Sequence, residues 1–413
     1  MPEVKPFAAI RFDPAPGDGD ISAHLAPPYD VLDQRDKDAL LTRSDRNIVA
    51  IDLPHVPPKS AGPPEAYAKS AALLDRWLAD GTLIREAEPA LYLYHQIFMH
   101  EGKSYTRRKF IARIRLTPFS EGSILPHEKT FGGPKEDRLA LMKATKCQLS
   151  AILGMYTDPE DRIDRAFAEV ADREPDATGR VGDVENRMWV VTDGGVIDAV
   201  VAEMADRKVY IADGHHRYGT ALLYRDWLTE QAGESLPDDH PANYIMFVLA
   251  SMDDPGCLIL PYHRALANVT VESLSEAWSE GTEPCEEVDA DVRLVNGNTD
   301  QVTPLRFSKR SILSSLEPDQ CEAWHKLDYA YLHRYLIDDL FERKLGRAPE
   351  VRYAKSAEAA KAVAKEESGV ALLLNATPMA HLRAVSEAGG LMPQKSTYFH
   401  PKLATGLTIN PLE

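Results

Sequence analysis

The chain has 413 residues, of which 44% are hydrophobic and 8% aromatic, and its formal net charge is −17. This length and composition are typical of a globular protein with two or three domains and a substantial core. The negative charge disfavours nucleic acid and anionic membranes as partners, so that local basic clusters stand out. The four cysteines form no Cys-x-x-Cys pair, which argues against a zinc site or a disulfide framework. No signal-peptide pattern or membrane-length apolar run is found, and we expect a cytoplasmic protein.

Hydrophobic spacing and turn residues predict the following elements in chain order. Residues 1–61 are rich in Pro, Gly and Asp, which indicates irregular structure with short strands. Helical spacing is found at 63–80, 134–147, 196–204, 217–228, 329–344, 357–367 and 379–386. Strand patterns are found at 91–99, 105–116, 188–192, 208–212, 244–250, 257–261 and 370–374, the first two forming a hairpin. These elements predict a mixed α/β or α+β fold.

A charge-rich stretch with little strand pattern, at about 270–300, indicates a domain boundary. We therefore expect a nucleotide-binding region at 1–268 and a smaller α/β domain at 269–390. A C-terminal segment at 391–413 is expected to return to the functional site. No internal period or low-complexity segment is present.

The most informative stretch is 209–218, where an apolar strand pattern leads into a carboxylate, a glycine, two imidazoles and a guanidinium. The helical spacing that follows places these groups at a strand-to-helix turn. There Gly214 lets the backbone approach an anion, the helix N-terminus offers N–H groups, and Arg217 can bind two phosphate oxygens. The alternative is that the adjacent histidines cap a helix or solvate a loop. The candidate phosphate ligands are Gly214, His215, His216 and Arg217.

A second basic cluster occupies 126–138, where a Gly-Gly pair precedes a predicted helix. Cations, a hydroxyl and a carboxylate surround the glycines, which indicates a second anion cradle. The alternative is a flexible loop with solvated charges. The candidate phosphate ligands here are His127, Lys129, Thr130, Lys135 and Arg138.

A third cluster lies near the C-terminus, at 392–402, where Lys395 and Lys402 flank two hydroxyls and two aromatic rings. The alternative is a docking strand that ends the fold. The candidate ligands of a substrate or phosphate are Lys395, Ser396 and Thr397. If the three clusters form one site, their side chains should converge on a single cleft.

Several familiar motifs are excluded. His127 and Glu128 would begin a His-Glu-x-x-His zinc helix, but Phe131 stands at the second ligand position. Gly-Lys-Ser at 102–104 lacks the earlier glycine of a phosphate-binding P-loop, and neither Gly-x-Gly-x-x-Gly nor Gly-x-Ser-x-Gly is present. No resident metal is expected, and Mg²⁺ is expected only as an ion carried by a nucleotide.

Four separated runs carry a family resemblance. They are Pro-Tyr-Asp-Val at 28–31, His-Glu-Lys-Thr at 127–130 with Pro-Lys-Glu-Asp-Arg at 134–138, Ala-Asp-Gly-His-His-Arg-Tyr at 212–218, and Pro-Gln-Lys-Ser-Thr-Tyr-Phe at 393–399. In this order they resemble the bacterial and archaeal domain-of-unknown-function family 1015, over nearly the whole chain. The run at 213–217 also resembles the phosphate-binding motif of the ParB and sulfiredoxin-like superfamily, which includes a free-serine kinase that uses a nucleoside diphosphate.

The second resemblance implies a ParB/sulfiredoxin-like core in which the four ligands at 214–217 hold nucleotide phosphates and Asp213 lies near the transferring group. The motif contains no Cys, which argues against sulfinic-acid chemistry. The chain also lacks a basic helix-turn-helix stretch, which argues against partition-type DNA binding.

Together the motifs predict a phosphotransferase that uses ATP or ADP with Mg²⁺ and acts on a small hydroxyl compound such as serine. Phosphoryl transfer needs charge neutralisation and in-line positioning, which the basic clusters supply. Glu128, Asp213 or Asp30 would accept the hydroxyl proton, and the sequence does not rank them. Two other functions stay open, a nucleotide-responsive binding module without turnover and a small-molecule phosphatase. The oligomeric state is also open.

Overall fold

The chain divides into two compact units, and a computed structural model describes residues 1–58, 60–128 and 133–413. The larger unit comprises Met1–Pro126, Thr130–Cys257 and Pro401–Glu413, and the smaller unit comprises His127–Lys129 and Leu258–His400. The division after Cys257 precedes the predicted boundary at 268, and the segment 391–413 is shared between the two units. The last residues of the chain therefore belong to the same unit as the run at 209–218.

The larger unit is built on a mixed sheet with helices. Its strands are β1 (Val4–Lys5), β2 (Ile10–Phe12), β3 (Leu83–Arg85), β4 (Leu91–His100), β5 (Lys103–Arg115), β6 (Ile124–Leu125), β7 (Cys147–Gln148), β8 (Ile152–Tyr156), β9 (Ala177–Val181), β10 (Val184–Val191), β11 (Val209–Asp213) and β12 (Tyr244–Ser251). The main sheet has the order β6, β11, β8, β12, β5, β4, β10, β9, and β1 pairs with β5. Parallel and antiparallel pairs both occur in it, which confirms the predicted mixed α/β class.

The predicted hairpin at 91–116 is confirmed by β4 and β5. Its turn is at Glu101 and Gly102, whose φ angles are 49° and 76°. The helices of this unit are α1 (Gln34–Arg43), α2 (Val49–Asp52), α3 (Pro64–Ala79), α4 (Gly133–Thr145), α5 (Arg162–Ala166), α6 (Ala168–Ala171), α7 (Gly194–Met204) and α8 (His215–Ala232), with 3-10 turns at Ala15–Gly17, Tyr29–Val31, Phe119–Glu121 and Pro241–Asn243.

The helix after β11 begins earlier than its hydrophobic spacing predicts. We expected a start at Arg217, whereas α8 starts at His215. Gly214 adopts a left-handed φ of 99°, which ends the strand and reverses the chain within one residue. Both histidines of the motif therefore lie in the first turn of α8.

A hydrophobic core holds α7 and α8 against the sheet. Every residue of β12 is buried, because this strand lies between β8 and β5 in the middle of the sheet. Burial of each large apolar side chain contributes about 1.5–3 kcal/mol. The cluster includes Phe110, Ile152, Ile211, Phe247, Val200, Met204, Tyr218 and Ala221. This packing fixes the N-terminus of α8 beside the end of β11.

The smaller unit has its own sheet. Its strands are β13 (Leu258–Leu260), β14 (His263–Leu266), β15 (Thr282–Pro284), β16 (Val292–Asn296), β17 (Val302–Phe307), β18 (Val351–Ala354), β19 (Val370–Leu374) and β20 (Tyr398–His400). The main sheet has the order β15, β17, β16, β19, β14, β18, and β13 pairs with β20. The stretch at 270–300 thus contains two strands of this sheet, β15 and β16. In β16, Val292, Leu294 and Val295 are buried.

Helices flank the sheet of the smaller unit. They are α9 (Val271–Trp278), α10 (Ile312–Leu316), α11 (Glu322–His325), α12 (Asp328–Ala330), α13 (Glu342–Leu345), α14 (Ala357–Glu366) and α15 (Met379–Glu387), with a 3-10 turn at Glu287–Asp289. The segment Tyr331–Phe341, between α12 and α13, is π-helical. The predicted helices at 329–344, 357–367 and 379–386 are therefore confirmed within one or two residues at most ends. The last strand of the chain, β21 (Asn410–Pro411), pairs with β7 in the larger unit.

Candidate functional site

The turn between β11 and α8 brings Asp213, Gly214 and Arg217 together. Asp213 is the last residue of the strand, and Gly214 is the N-cap residue of the helix. A Cβ on Gly214 would lie 3.0 Å from Nε of Arg217 and 3.1 Å from its Cζ. The absence of a side chain at this position therefore lets the guanidinium fold back over the backbone of the turn.

Asp213 is held by two cations of the larger unit. Lys402 donates from Nζ to Oδ2 at 2.5 Å, and Nη2 of Arg217 lies 3.7 Å from Oδ1. Burial raises the pKa of Asp213, but Lys402 and Arg217 outweigh this effect and hold the pKa well below its usual range. Asp213 is thus a stable carboxylate and a weak proton acceptor at neutral pH.

Arg217 is 9% exposed and is already engaged by the protein. Its Nη1 donates to the carbonyl oxygen of Ala151, and its Nη2 faces Asp213. Burial lowers the pKa of Arg217, but the nearby acidic groups, Asp213 first among them, together outweigh this effect and raise the pKa. The guanidinium therefore stays protonated. The predicted contact of Arg217 with phosphate oxygens stays a prediction.

Arg217 also lines a cavity of the larger unit, with an empty volume of about 410 Å³ that includes its opening to solvent. Its wall combines apolar side chains with a few polar ones: Tyr29, Asp52, Arg138, Leu141, Met142, Cys147, Gln148, Leu149, Ser150, Arg217, Thr220 and Ile245. Tyr29, Arg138 and Arg217 come from three different sequence motifs. The fold therefore brings the runs at 28–31, 134–138 and 212–218 to one cavity.

Arg138 is buried in the wall of this cavity between two carboxylates. Its Nη1 donates to the carbonyl oxygen of Asp52 at 2.6 Å and lies 3.3 Å from Oδ1 of the same residue. Its Nε donates to Oδ2 of Asp137 at 2.6 Å. The guanidinium carbon lies 4.0 Å from the centre of the Tyr29 ring, a cation–π contact. Arg138 thus organises the cavity wall, and its predicted contact with phosphate stays a prediction.

Both carboxylates around Arg138 have further partners. Asp137, which is fully buried, accepts a hydrogen bond from Tyr67 Oη at 2.8 Å, and Nε2 of His55 lies 2.6 Å from the same oxygen, Oδ1. Ser150 donates to Oδ2 of Asp52 at 2.7 Å. Burial raises the pKa of Asp52 in spite of the opposing charge of Arg138. Buried charges with this many partners are costly to disturb, because removal of one leaves the others uncompensated.

His215 and His216 lie in the first turn of α8, and Lys135 of α4 packs against the same helix. His215 is 7% exposed, and its charge is among those that lower the pKa of Asp213. His216 is half-buried. A Cβ on Gly219, one turn after His215, would lie 2.9 Å from Cε of Lys135. The side chain of Lys135 on α4 therefore covers α8 at Gly219.

Asp30 is exposed and lies in the 3-10 turn Tyr29–Val31. Its charge is among those that raise the pKa of Arg217, after those of Asp213 and Tyr29. Tyr29 itself is buried, which raises its pKa to about 12. The two candidate carboxylates of the larger unit thus differ, since Asp213 is paired inside the protein and Asp30 faces solvent.

The smaller unit contains the remaining described candidates. His127 is 2% exposed, and its Nε2 lies 3.1 Å from Oγ1 of Thr397, so the second and third clusters meet here. Ser396 is buried and donates to the carbonyl oxygen of Pro393 at 2.5 Å. Lys395 is exposed, with a φ of 55°, and its carbonyl oxygen accepts a hydrogen bond from Arg264. Lys129 and Thr130 lie outside the described residues.

Two further features of the smaller unit bear on the third cluster. Burial lowers the pKa of Arg264 to about 10, and the negative charge of Glu128 is among the groups that oppose this shift. The residues after Thr397 form β20, which pairs antiparallel with β13. A strand thus lies directly after the candidate ligands, but it does not end the fold, because β21 follows it.

Sequence reasoning missed several members of the site. Lys402 belongs to the basic run at 392–402 but was not among the predicted ligands, and its role depends on a contact with β11. Asp137 belongs to the motif run at 134–138 but was not among the predicted ligands, and Asp52, which follows an apolar run, carries no local signal. Across the described residues, no group of three or more His, Cys, Asp or Glu side chains is arranged to hold a metal ion. Within the same part of the chain, no helix has the length and apolar character needed to cross a membrane.

The comparison with protein families is decisive for classification. A family model described as "Protein of unknown function (DUF1015)" matches residues 4–330. The chain belongs to the DUF1015 family. This confirms the resemblance drawn from the motifs, and the match contains the first three motif regions, whereas the run at 393–399 lies beyond it. No curated protein matches this DUF1015 chain.

Solved structures similar to this DUF1015 protein include a free serine kinase in complex with AMP, with 13% identity and a TM-score of 0.34 over 72% of this chain and 92% of that chain. Another is a free serine kinase mutant in complex with ADP, with 12% identity, a TM-score of 0.35 and the same coverage. SbnI from Staphylococcus aureus, truncated at its C-terminus, has 11% identity and a TM-score of 0.36 over 73% of this chain and 87% of that chain. Similarities this low do not establish a shared function.

Proposed function

We propose that this DUF1015 protein is a nucleotide-dependent phosphotransferase that acts on a small hydroxyl metabolite, in its specific form a free-serine kinase. The observation that carries the proposal is the β11–α8 turn. There a left-handed Gly214 opens the backbone at a helix N-terminus, and Arg217 links the turn to the cavity. Helix N-termini and buried guanidinium groups are both favourable sites for phosphate.

The proposed phosphate ligands of the larger unit lie on α4 and α8 or between α8 and β11. The amides of the first turn of α8 carry partial positive charge, and Lys135 adds a full charge at Gly219. In a site shielded from water, such preorganised groups stabilise the charge that develops on a transferring phosphoryl group. The proposed ligands are Gly214, His215, His216, Arg217, Lys135 and Arg138.

The nucleotide proposed for this site is ATP or ADP, with Mg²⁺ entering as part of the nucleotide complex. The cavity suits a nucleotide in character, because apolar side chains line it together with the guanidinium groups of Arg138 and Arg217. The bound nucleotide would supply the phosphoryl group, and the protein would supply charge and orientation.

The three candidate bases can be ordered by their surroundings. Asp213 is paired with Lys402 and has a lowered pKa, so we assign it to orienting this ammonium beside the phosphates. Asp30 is exposed next to the cavity residue Tyr29 and is our candidate for accepting the hydroxyl proton in the larger unit. Glu128 belongs to the smaller unit and is the alternative base.

The smaller unit is proposed to contact the substrate or its phosphate through the third cluster. Lys395 offers an exposed ammonium on a backbone that Arg264 holds, and Thr397 offers a hydroxyl beside His127. The proposed ligands of the second and third clusters outside α4 are His127, Lys129, Thr130, Lys395, Ser396 and Thr397. Convergence of all three clusters on a single cleft stays a prediction.

A nucleotide-responsive binding module is the second candidate function. It is favoured by the internal pairing of Arg138 with Asp52 and Asp137, because guanidinium groups committed to the protein contribute less to a transition state. A small-molecule phosphatase is the third possibility, since it would use the same phosphate ligands.

Turnover assays separate these functions. The purified protein is incubated with Mg²⁺ and either ATP or ADP, together with serine, homoserine or glycerol, and products are followed by ³¹P NMR and mass spectrometry. A kinase yields a phosphorylated acceptor and one equivalent of the shortened nucleotide. Nucleotide binding without product indicates the binding module, and hydrolysis of phosphoserine without nucleotide indicates the phosphatase. Absence of nucleotide binding in calorimetry would overturn both the kinase and the binding module.

A further inference from the structure

A buried row of polar side chains crosses three strands of the larger unit. Gln96 on β4 lies directly opposite Arg107 on β5 and directly opposite Asn186 on β10. All three are at most 1% exposed. Gln96 donates from Nε2 to Oδ1 of Asn186 at 3.2 Å, and Arg107 donates from Nη2 to Oε1 of Gln96. The row is therefore connected by hydrogen bonds through its whole width.

This row also binds the backbone of the C-terminal segment. Arg107 donates from Nη2 to the carbonyl oxygen of Pro401 at 2.6 Å. Gln96 donates from Nε2 to the carbonyl oxygen of Lys402 at 3.0 Å. Two consecutive carbonyls are thus fixed by buried donors directly at the residue whose ammonium lies 2.5 Å from Asp213.

The basic side chains of this row donate to neutral acceptors rather than to carboxylates. Lys109, two residues after Arg107 on β5, donates to the same amide oxygen of Gln96, and its Nζ lies 3.7 Å from the centre of the Tyr94 ring. Burial lowers the pKa of Lys109 well below its usual value and lowers that of Arg107 as well. Burial of a cation is energetically unfavourable. For Arg107, the negative charges of Asp254 and Asp213 are among those that oppose the lowering of its pKa.

We infer that Arg107 is a positioning residue for the turn at Asp213: with Gln96 it holds Pro401 and Lys402 so that the Lys402 ammonium stays on the Asp213 carboxylate. The role in anion binding rests on the proposed function, whereas the placement of Lys402 does not. A purely structural role would anchor the C-terminal segment without affecting Asp213 or the anions that bind beside it.

Arg107→Met tests the inference, with Arg113→Met as the matched control. Arg113 lies six residues after Arg107 on the same strand, is half-buried, and stacks on Tyr244. No hydrogen bond from Arg113 to Pro401 or Lys402 is seen among the described residues, unlike that from Arg107. The probes are inorganic pyrophosphate and ADP, measured by calorimetry on the full chain. We expect R107M to weaken binding about tenfold, since one charge-assisted contact is misplaced, and R113M to bind as the wild type does. Equal affinities of R107M and R113M would overturn the inference.

A double-mutant cycle tests whether Arg107 acts through Lys402. In a Lys402→Met background, R107M should cause no further loss of affinity, because the ammonium that Arg107 places is already absent. The same loss in both backgrounds would show an independent effect and overturn the inference. If R107M does not fold, Gln96→Met takes its place in the cycle, since it removes the donor to Lys402 and leaves Arg107 on Pro401.

Carbon-13 NMR of the Asp213 carboxyl tests the positioning role of Arg107 without any added ligand. In the wild type this carboxyl should titrate well below the usual aspartate range, and in R107M its titration should move upward because Lys402 is no longer held. An unchanged Asp213 titration in R107M would overturn the positioning role even if nucleotides bind. A shifted titration without any binding of pyrophosphate or ADP would support the placement and contradict the proposed function alone.

Discussion

Lys402 Nζ lies 2.5 Å from Oδ2 of Asp213, although 189 positions separate the two residues in the chain. Asp213, the last residue of β11, thus forms an ion pair with Lys402 that is mostly buried. The contact also makes the C-terminal segment part of the turn that the strongest sequence motif forms. The carboxylate that sequence reasoning offered as a base is, in the structure, the anchor of an ammonium.

Replacement of Gly214 by Ala should weaken phosphate binding as well as stability. The left-handed φ of 99° costs about 1–2 kcal/mol for a residue with a Cβ, and the new Cβ would press on Arg217. Gly233→Ala is the matched control, because Gly233 has a φ of 71° at the other end of α8 with nothing within 4 Å of its Cβ position. Urea unfolding should show losses in both variants, and calorimetry with ADP should show a loss of affinity in G214A alone. Wild-type affinity in G214A would contradict the role of the turn.

Replacement of Arg217 by Ala should weaken nucleotide binding by roughly 1.5–3 kcal/mol, the range for a hydrogen bond to a charged group. Arg225→Ala serves as the control, since Arg225 lies farther along α8 and contacts Asp226 and the carbonyl oxygen of Leu116. Affinities for ADP and ATP are measured by calorimetry. If R217A and R225A bind alike, Arg217 is a structural residue that only joins Ala151 to Asp213.

Replacement of Arg138 by Met should destabilise the larger unit by about 3–5 kcal/mol, because it leaves two buried carboxylates without their cation. The double variant R138M/D52N should recover part of this loss. Arg162→Met, at an exposed pair with Glu160, should leave the free energy of unfolding unchanged within error. Urea titrations of the four proteins test this, and an effect of R138M no larger than that of R162M would contradict the prediction.

Asp164 should make stability depend on pH in the acidic range. Burial raises its pKa to about 6, although Arg108 opposes the shift. The folded state therefore holds this proton more tightly than the unfolded state does, so the stabilising contribution is complete below about pH 4 and is lost as the pH rises through 6. The loss should be about 1–2 kcal/mol after allowance for partial exposure to solvent.

The test of this linkage is the variant Asp164→Asn, which cannot titrate. Its free energy of unfolding, relative to that of the wild type, should increase between pH 4 and pH 7. The pKa of about 6 already includes the opposing charge of Arg108, so loss of the Asp164–Arg108 ion pair in the variant adds no second pH dependence. A difference between the two proteins that does not change with pH would contradict the raised pKa.

Local patterns predicted many individual elements of the fold. The strand at Val370–Leu374 and the hairpin of β4 and β5 follow directly from apolar runs and a turn with glycine. The start of α8 was misplaced by two residues, because hydrophobic spacing does not detect a helix whose first turn is polar. The two strands inside 270–300, β15 and β16, were missed because they are short and their buried positions are interrupted by charged and turn residues.

The sequence by itself determined which residue types meet at the β11–α8 turn, since a strand pattern, a glycine and a helix pattern within ten positions leave little freedom to the backbone. It also determined the family, through motifs in a fixed order. Only the tertiary structure decided that Lys402 pairs with Asp213, that Arg138 lies between Asp52 and Asp137, and that Arg107 binds Pro401. Apart from the adjacent pair Asp137 and Arg138, these contacts join residues far apart in the chain. Strand register and helix packing select them among many cations and carboxylates that look alike in the local sequence.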